Sequence, residues 1–400
     1  MNDSRSLGDD TPPRKGLVDF AGGGRLDSGP MKFHVFMLPT IGEPQDLRRG
    51  MAGQNPEHYQ RMLRQVSDIV RLADEMGYEG IGFTEHHFHI EGFECSTNPI
   101  LWNLFTAMQT KRVRVGQLGI VLPASNPIRV AEDLAMLDQM SGGRAYAGFA
   151  RGYQARAVNT LAQHIHVGAT RSDKSQMDAI NREAFEEALD IIKLAWTRET
   201  FSYDGKFWKI PAETPWDFPA TRKWGRGLGP DGKLTEIGIV PRPLQKPHPP
   251  IYFPFAFSMT TVRHGARVGG IPVLLSGDID FCKDLFTVYQ EEAAKAGRSL
   301  KWGESVALGG FLSVAHDAGK AETFAQSYRW AHEEWFTPFG FPKGLELIGD
   351  PDTISRRLET LQKALHFEEF FIWLNQGLSP HAQVLENLEL FAAKVMPRFR

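Results

Sequence analysis

Residues 85–91, EHHFHIE, place three histidines and two carboxylates within seven positions, directly behind an apolar stretch. Imidazole and carboxylate groups this close together suit a metal centre, a proton-transferring site beside a bound ligand, or a polar surface loop. Adjacent side chains of an extended chain point in opposite directions, so these residues are not equivalent. Their chemistry depends on where the fold places them.

A second candidate for chemistry is Arg151, which follows the apolar run YAGFA and precedes Gly152. A planar guanidinium suits a phosphate or a carboxylate. Further along, Ser258 and Thr261 have the spacing of an N-cap residue and the third residue of a helix, whose free N–H groups attract anions. Ser258 alone is equally well explained by helix capping. Together with Arg151, this helix start predicts a phosphate site.

The elements that must position these residues alternate between strands and helices. Apolar runs rich in β-formers predict eight strands, at 32–38, 78–84, 113–123, 144–150, 251–257, 270–277, 304–314 and 367–375. Helical patterns or helix-start signals lie between them, for example at 55–77 and 126–143. Such alternation predicts an α/β protein, and eight units favour a (β/α)8 TIM barrel over an open doubly wound sheet. No G-x-G-x-x-G follows the first strand, which favours the same conclusion.

In a barrel of this kind the active site lies at the carboxyl ends of the strands. The predicted strand ends therefore bring a set of polar and apolar residues to one mouth: Glu85, His86, Leu122, Ala150, Arg151, Tyr153, Ser258 and Thr261.

A metal site is the less favoured interpretation of the histidines. His87-Phe88-His89 is an H-x-H pair like that of the metal-dependent amidohydrolases, but here it follows the second strand instead of the first. The other predicted strand ends supply no further histidine, whereas zinc needs three or four ligands. We therefore predict no metal. His87 is expected to face away from the site, and His89 and Glu91 to serve as packing or capping groups in the loop.

The whole-chain composition limits the functions to consider. Among 400 residues the formal net charge is −3, which offers no electrostatic case for nucleic acid or an acidic membrane surface. No window approaches ~20 consecutive apolar residues, so no membrane span is predicted. Cys95 and Cys282 do not form a disulfide framework and suit the cytoplasm. Residues 1–30 are polar and rich in Gly and Pro, which predicts a disordered tail before a barrel over 31–400.

A long segment at 199–249, rich in Trp, Pro and Gly, interrupts the alternation between the fourth and fifth strands. Loops of this length in compact domains are usually lids or binding elements. Its aromatic part, 199–224, and the sequence WFTPFGFP at 335–342 are apolar enough to cover the mouth. We predict that both keep the site dry.

Several stretches, in this order, resemble the bacterial luciferase-like flavin-dependent monooxygenases. They are FTEHHF, VLPASNPIRVAEDLAMLDQMSGGRAYAGFARGY, REAFEEALDIIKLAW and GLSPHAQVLENLELFAAKVMPRFR, and the likeness runs from about Met31 to Arg400 with its main break at 199–249. The resemblance implies a monooxygenase that uses reduced FMN and O2 to oxidise a small organic substrate through a flavin hydroperoxide. It further implies a separate NAD(P)H-dependent flavin reductase and a homodimer formed through helices of the first half.

The resemblance also implies roles for individual residues. His86 corresponds to the active-site histidine beside the flavin ring, with Glu85 as its companion. Arg151 corresponds to the residue that binds the flavin phosphate. The other implied cofactor contacts are Tyr153, Ala150, Leu122, Ser258 and Thr261.

Two positions depart from the light-emitting members of the family. Ala150 replaces a cysteine before the arginine, and Phe257 replaces a glutamate before the serine. Luminescence is therefore not predicted. A deazaflavin-dependent oxidoreductase of the same superfamily is the nearest alternative, and a flavin-binding protein without turnover is the alternative from another class. E-H-H-F together with A-R-G-Y favours FMN.

Overall fold

Twelve strands lie in the residues that the computed structural model describes, which are 30–170, 172–255 and 258–400. They are β1 (Lys32–Met37), β2 (Gly80–Phe83), β3 (Arg114–Gln117), β4 (Ile120–Val121), β5 (Ala145–Ala150), β6 (Tyr203–Asp204), β7 (Lys209–Ile210), β8 (Ile251–Pro254), β9 (Ile271–Leu274), β10 (Ala307–Val314), β11 (Glu346–Gly349) and β12 (Glu369–Leu374). The predicted N-terminal tail lies almost wholly outside the described residues.

Eight of these strands close into a parallel barrel. Their order is β1-β2-β3-β5-β8-β9-β10-β12, and β12 pairs again with β1. Each is one of the eight strands predicted from the sequence, so the (β/α)8 barrel with an insertion between its fourth and fifth strands is confirmed. β11 pairs with the carboxyl half of β10 outside this ring, and β4 pairs with the end of β5.

Twelve helices lie in the same described ranges and surround or extend the barrel. They are α1 (Pro44–Arg49), α2 (Pro56–Met76), α3 (Pro99–Ala107), α4 (Pro127–Met140), α5 (Ala155–Leu161), α6 (Gln176–Thr197), α7 (Pro219–Trp224), α8 (Met259–Val268), α9 (Ile279–Lys295), α10 (Ala318–Ala331), α11 (Pro351–Leu365) and α12 (His381–Lys394). None of the described helices is both long enough and apolar enough to cross a membrane.

Local sequence explains where the helices of the first half begin and end. Asn55 and Asn126 accept hydrogen bonds from N–H groups in the first turns of α2 and α4, and a proline follows each of them. Gly77 ends α2 in the left-handed conformation, with φ of 79°. The capped starts of α2 and α4 fix strand-to-helix loops at the mouth of the barrel, whereas Gly77 turns the chain back into β2 at the opposite face.

The apolar core has an inner and an outer part. Inside the barrel, Phe36, Leu118, Tyr146, Tyr252 and Phe371 belong to one buried cluster, while larger clusters fill the space between strands and helices. Gly116 makes room for the Tyr146 ring, since a Cβ at that position would lie 2.2 Å from it. The filled interior leaves the strand ends as the place for a ligand.

The segment between β5 and β8 packs against the outside of the barrel. The Glu187 carboxylate on α6 accepts hydrogen bonds from the backbone N–H groups of Lys206, Phe207 and Trp208. Phe201 is buried in the same outer cluster as Trp196 of α6. The insertion is therefore anchored to α6. The boundaries of the predicted domains stay a prediction.

Candidate active site

A cavity of about 500 Å³ lies at the carboxyl ends of the barrel strands. Seven of the eight residues predicted for the site line it: Glu85, His86, Ala150, Arg151, Tyr153, Ser258 and Thr261. Aromatic side chains form much of its wall, namely Phe149, Phe253, Phe255, Phe339 and Phe341. The cavity combines polar groups from several loops with an apolar lining, as small-molecule sites usually do.

His86 is buried in this cavity, with 8% of its surface exposed. Its Nε2 atom lies 3.2 Å from Glu94 Oε1, and its ring meets Tyr153 nearly edge-on at 6.2 Å. Burial lowers the pKa of His86 to about 3, with a smaller contribution from His87. The imidazole is therefore neutral at physiological pH, and burial makes it a weaker base than an exposed histidine, whose pKa is near ~6.5.

The expected companionship of Glu85 with His86 is wrong. Glu85 Oε1 lies 2.9 Å from His87 Nε2, and its Oε2 accepts a hydrogen bond from the N–H of Val121. His87, expected to face away, lines the cavity. The alternation of an extended strand ends at Phe83, and Phe88 has a φ of 66°, so the rule of opposite-facing neighbours does not extend through this loop.

His89 is buried, although the sequence suggested only a packing or capping residue in an open loop. Its Nδ1 lies 2.8 Å from the carbonyl oxygen of Phe93, and its Nε2 lies 2.7 Å from Gln154 Oε1. Glu91 does lie at the surface, where it forms an ion pair with Arg156. The loop thus has an inner and an outer face.

Glu94 is the residue of this loop that sequence reasoning missed. Its Oε2 accepts hydrogen bonds from Trp335 Nε1 at 2.6 Å and from Gln154 Nε2 at 3.1 Å, while its Oε1 faces His86. Burial raises the pKa of Glu94, and the charge of His89 and these donors offset part of that increase. No local sequence pattern distinguishes Glu94 from the other glutamates of this loop, so its role could not be recognised from the sequence.

His86, His89 and Glu94 form a cluster with metal-ligand chemistry, because one ligand atom from each lies within 4.8 Å of the others. The expectation that fewer than three metal-type ligands come together was therefore wrong. The second and third of these side chains come from the loop after β2, and not from other strand ends. Both nitrogens of His89 face protein oxygen atoms, and Glu94 accepts hydrogen bonds from Trp335 and Gln154. The cluster is held together by hydrogen bonds of the protein itself.

Arg151 also lines the cavity and is held by a carboxylate of α6. Its Nη2 lies 2.7 Å from Asp178 Oδ1 and 2.8 Å from Ser172 Oγ. Although burial raises it, hydrogen bonds from Thr170 and Arg151 bring the pKa of Asp178 below its ordinary value. Gly152, with φ of 80°, turns the chain directly after the arginine. The guanidinium is thereby fixed at the rim with donors remaining for a ligand.

Arg182 and His264 line the same end of the cavity and were missed by the sequence interpretation. No carboxylate of the described residues lies within ion-pair distance of Arg182. His264 is buried, its Nε2 has no hydrogen-bond partner in the described part of the chain, and its Nδ1 lies 3.3 Å from Glu186. Burial and nearby cations lower the pKa of His264 to about 4.

Ser258 caps α8, as expected from its spacing. Its Oγ accepts a hydrogen bond from the N–H of Thr261 and lies 2.9 Å from the Thr261 hydroxyl. Because both residues also line the cavity, the positive end of α8 points at the same space as Arg151 and Arg182. This collection of donors fits a phosphate group. Phe257, the expected departure beside Ser258, lies outside the described residues.

Leu122 is the predicted cofactor contact that the structure does not bring to the cavity. It begins a 3₁₀ turn and is buried in the outer cluster with residues such as Leu134 and Phe149. Its neighbours Val121 and Ala124 line the cavity in its place. The turn rotates Leu122 away from the cavity. The sequence predicted a continuous strand over 113–123 and so did not anticipate this turn.

The two predicted lids differ. Phe339, Gly340, Phe341 and Pro342 line the cavity, and the rings of Phe339 and Phe341 pack edge-on against Tyr153. No residue of 199–249 lines it, so the expectation that 199–224 covers the mouth is wrong. That segment instead packs on α4 and α6, because its buried apolar residues have partners there.

Taken together, a closed (β/α)8 barrel with an anion-binding end and a buried neutral histidine in one cavity defines a cofactor-dependent barrel enzyme. The sequence model of the luciferase-like monooxygenases matches residues 31–366. The chain belongs to this family, which confirms the resemblance and makes it an enzyme of the monooxygenase class.

The individual relatives share less than a quarter of their residues with this chain. The oxygenase component of the flavin-dependent trigonelline monooxygenase from Acinetobacter baylyi is 24% identical, over 85% of this chain and 90% of that one. The oxygenating constituent of 3,6-diketocamphane monooxygenase from Pseudomonas putida, a type II Baeyer–Villiger enzyme solved with FMN, superposes with a TM-score of 0.71 at 18% identity, over 93% of this chain and 99% of that one. The coenzyme F420-dependent tetrahydromethanopterin reductase from Methanopyrus kandleri has a TM-score of 0.61 at 16% identity, covering 92% and 100%. At these identities the solved structures are similar in fold.

Proposed function

We propose that this chain is the oxygenase component of a two-component monooxygenase that uses reduced FMN and O2 to insert one oxygen atom into a small organic substrate. One observation carries the proposal. The same cavity is lined by groups suited to bind a phosphate, Arg151, Arg182 and Ser258, and by a buried neutral histidine, His86. The trigonelline relative, named as an oxygenase component, supports a separate flavin reductase as partner.

FMN fits the donors at the phosphate end. A phosphate monoester carries up to two negative charges, and two guanidinium groups and a helix start line the space that it would fill. The structural relative solved with FMN is consistent with this choice. Arg151 and Arg182 would hold the phosphate, and Ser258 and Thr261 would complete the contacts.

When bound, reduced FMN supplies the electrons that activate O2. The protein's own contribution is to hold a proton and to exclude water. His86 accepts a proton at Nδ1 and returns it, because its Nε2 faces Glu94. The rings of Phe339, Phe341 and Tyr153 keep water from the reacting atoms.

The apolar wall also bears on the substrate. Phe149, Phe253, Phe255, Phe339 and Phe341 line the cavity beside few charged groups outside the phosphate end. A largely apolar organic molecule with one oxidisable centre fits this lining better than a charged one does.

We further propose a homodimer that covers part of α3 and α4. Four apolar side chains on or directly after these helices are exposed, Leu101 by 63%, Met108 by 80%, Met136 by 41% and Met140 by 61%. A group of exposed apolar residues on neighbouring helices is typical of a protein interface. A second copy of this chain is its proposed partner.

The deciding experiment is a binding titration followed by turnover. Purified protein is titrated without oxygen against reduced FMN, reduced riboflavin and reduced F420, and then supplied with ¹⁸O2, a flavin reductase and NADH in the presence of candidate substrates. Preference for FMN and one ¹⁸O atom in a product, detected by mass spectrometry, support the proposal. Preference for F420 with hydride transfer would establish the deazaflavin alternative, and FMN binding without a product from any candidate would favour a flavin-binding protein.

A further inference from the structure

We propose that Glu94 is a positioning residue that fixes the tautomer of His86, with Trp335 and Gln154 anchoring its far oxygen. The proposal rests on the role of His86 in the proposed function. The contacts between Glu94, His86, Trp335 and Gln154 do not involve a cofactor, however, so the proposal can be tested on flavin-free protein.

The two carboxylate oxygens of Glu94 contact different groups. Oε2 accepts hydrogen bonds from Trp335 Nε1 and Gln154 Nε2, which come from two distant parts of the chain. Oε1 lies 3.2 Å from His86 Nε2. Both donors at Oε2 are N–H groups, so one carboxylate oxygen is held by Trp335 and Gln154 while the other remains beside His86.

An ionised carboxylate oxygen accepts and does not donate, so its negative charge 3.2 Å from His86 Nε2 favours the proton on that nitrogen. The neutral imidazole therefore has its N–H at Nε2 and a lone pair at Nδ1. With this tautomer, Nδ1 is the basic atom offered to a reacting group in the cavity. Glu94 sets the direction in which His86 can accept a proton, and it does so without touching the ligand.

The surroundings of Glu94 hold it in place. Trp335 stacks on Phe93 at 5.0 Å with an interplanar angle of 16°, and its ring lies 5.0 Å from that of His89. His89 in turn lies 2.7 Å from Gln154 Oε1, which orients the Gln154 amide so that its nitrogen faces Glu94. Each side chain that contacts Oε2 is thus fixed by a further contact.

Glu94→Gln makes a sharp test because the glutamine amide has one acceptor and one donor end. Its oxygen remains with the two N–H donors of Trp335 and Gln154, so its NH2 group must face His86 Nε2. That nitrogen then has to accept, and the His86 proton moves to Nδ1. Glu91→Gln is the matched control, since Glu91 belongs to the same loop but pairs with Arg156 at the surface.

The measurement is ¹⁵N NMR of histidine-labelled, flavin-free protein, with His86 assigned by its absence in His86→Ala. We expect the Nε2–H tautomer in the wild-type protein and in Glu91→Gln, and the Nδ1–H tautomer in Glu94→Gln. An Nδ1–H tautomer in the wild-type protein would overturn the proposal even if Glu94→Gln fails to fold. An unchanged tautomer in folded Glu94→Gln would overturn it as well.

Turnover adds a second readout. Product formation by Glu94→Gln should fall by at least about tenfold while FMN binds as before, because the proton acceptor is lost but the phosphate end is intact. Glu91→Gln should retain full turnover. A tautomer switch with no change in product formation would leave Glu94 as the residue that positions His86 but would refute the role of His86 in the proposed function.

Discussion

Arg151 Nη2 lies 2.7 Å from Asp178 Oδ1, so a carboxylate of α6 orients the guanidinium that follows β5. Thr170 donates a hydrogen bond to the same oxygen, which fixes the carboxylate in turn. A charged side chain at a barrel rim would otherwise sample many rotamers. The pairing prepares Arg151 to meet an anion in one direction, which leads to the first prediction.

Arg151→Ala is expected to weaken binding of FMN at least about tenfold more than binding of riboflavin, because only FMN carries the phosphate and a charge-assisted hydrogen bond is worth about 1.5–3 kcal/mol. Fluorescence titration of both flavins gives the two dissociation constants. Asp178→Asn, which leaves the guanidinium but loosens it, should show the same preference with a smaller loss. Equal losses for the two flavins would contradict the assignment.

Arg182→Gln is expected to show the same selective loss of FMN affinity, because Arg182 lines the phosphate end of the cavity. The matched control is Arg226→Gln, since Arg226 pairs with Glu199 on the exposed insertion. Titrations as for Arg151 test both variants. If Arg182→Gln and Arg226→Gln bind FMN equally well, Arg182 has no part in the site.

His86→Ala is expected to retain FMN binding and to lower product formation by roughly 10²-fold, the contribution of a positioned acid–base group. Product yield per NADH consumed, with hydrogen peroxide measured in parallel, gives the size of the effect. His87→Ala is the comparison, because His87 lines the same cavity but pairs with Glu85. Turnover that survives in His86→Ala and is lost in His87→Ala would reverse the two assignments.

Stability is expected to fall in mild acid because two buried histidines must be protonated on unfolding. The pKa values are about 3 for His86 and about 4 for His264 in the folded protein, against ~6.5 in an unfolded chain. Below pH ~6.5 the unfolded chain therefore binds more protons, and each histidine lowers the free energy of unfolding by up to about 1.4 kcal/mol per pH unit as the pH falls to about 4.

Urea unfolding between pH 7 and pH 4 measures this slope. His264→Gln should make it shallower by the contribution of one proton. A slope that is the same in His264→Gln and the wild-type protein would show that His264 is protonated as readily in the folded chain as in the unfolded one.

The proposed dimer predicts that Leu101→Asp combined with Met140→Asp gives a monomer, since two charges would be buried in the interface. Sedimentation velocity of wild-type and variant protein measures the state directly. Trp224→Asp, which changes a side chain of 77% exposure on α7, is the control and should remain dimeric. A monomeric wild-type protein would end the proposal.

The barrel could be predicted because its strands are marked by local sequence. Buried parallel strands such as β5 are continuous apolar runs, and capped helices such as α4 carry Asn and Pro at their starts. β11 escaped prediction, since it has only four residues. Short elements offer too few positions for a periodic signal.

The site could be predicted in part for a related reason. Residues directly after strands, such as His86 and Arg151, reach the mouth in any barrel, so strand prediction is enough to place them. Arg182 and His264 lie within helices, where a polar residue usually indicates a solvated surface. Only the packing of α6 and α8 against the barrel turns these two side chains into the cavity.

The sequence by itself determined the barrel, the family and the two ends of the site, because apolar periodicity, helix caps and strand-end residues are local properties of the chain. The tertiary structure decided which carboxylate meets which histidine. Glu85, adjacent in sequence, pairs with His87, whereas His86 faces Glu94, whose far oxygen is held by Trp335, 241 residues away. Contacts between loops depend on how distant segments pack together, and no local pattern records that arrangement.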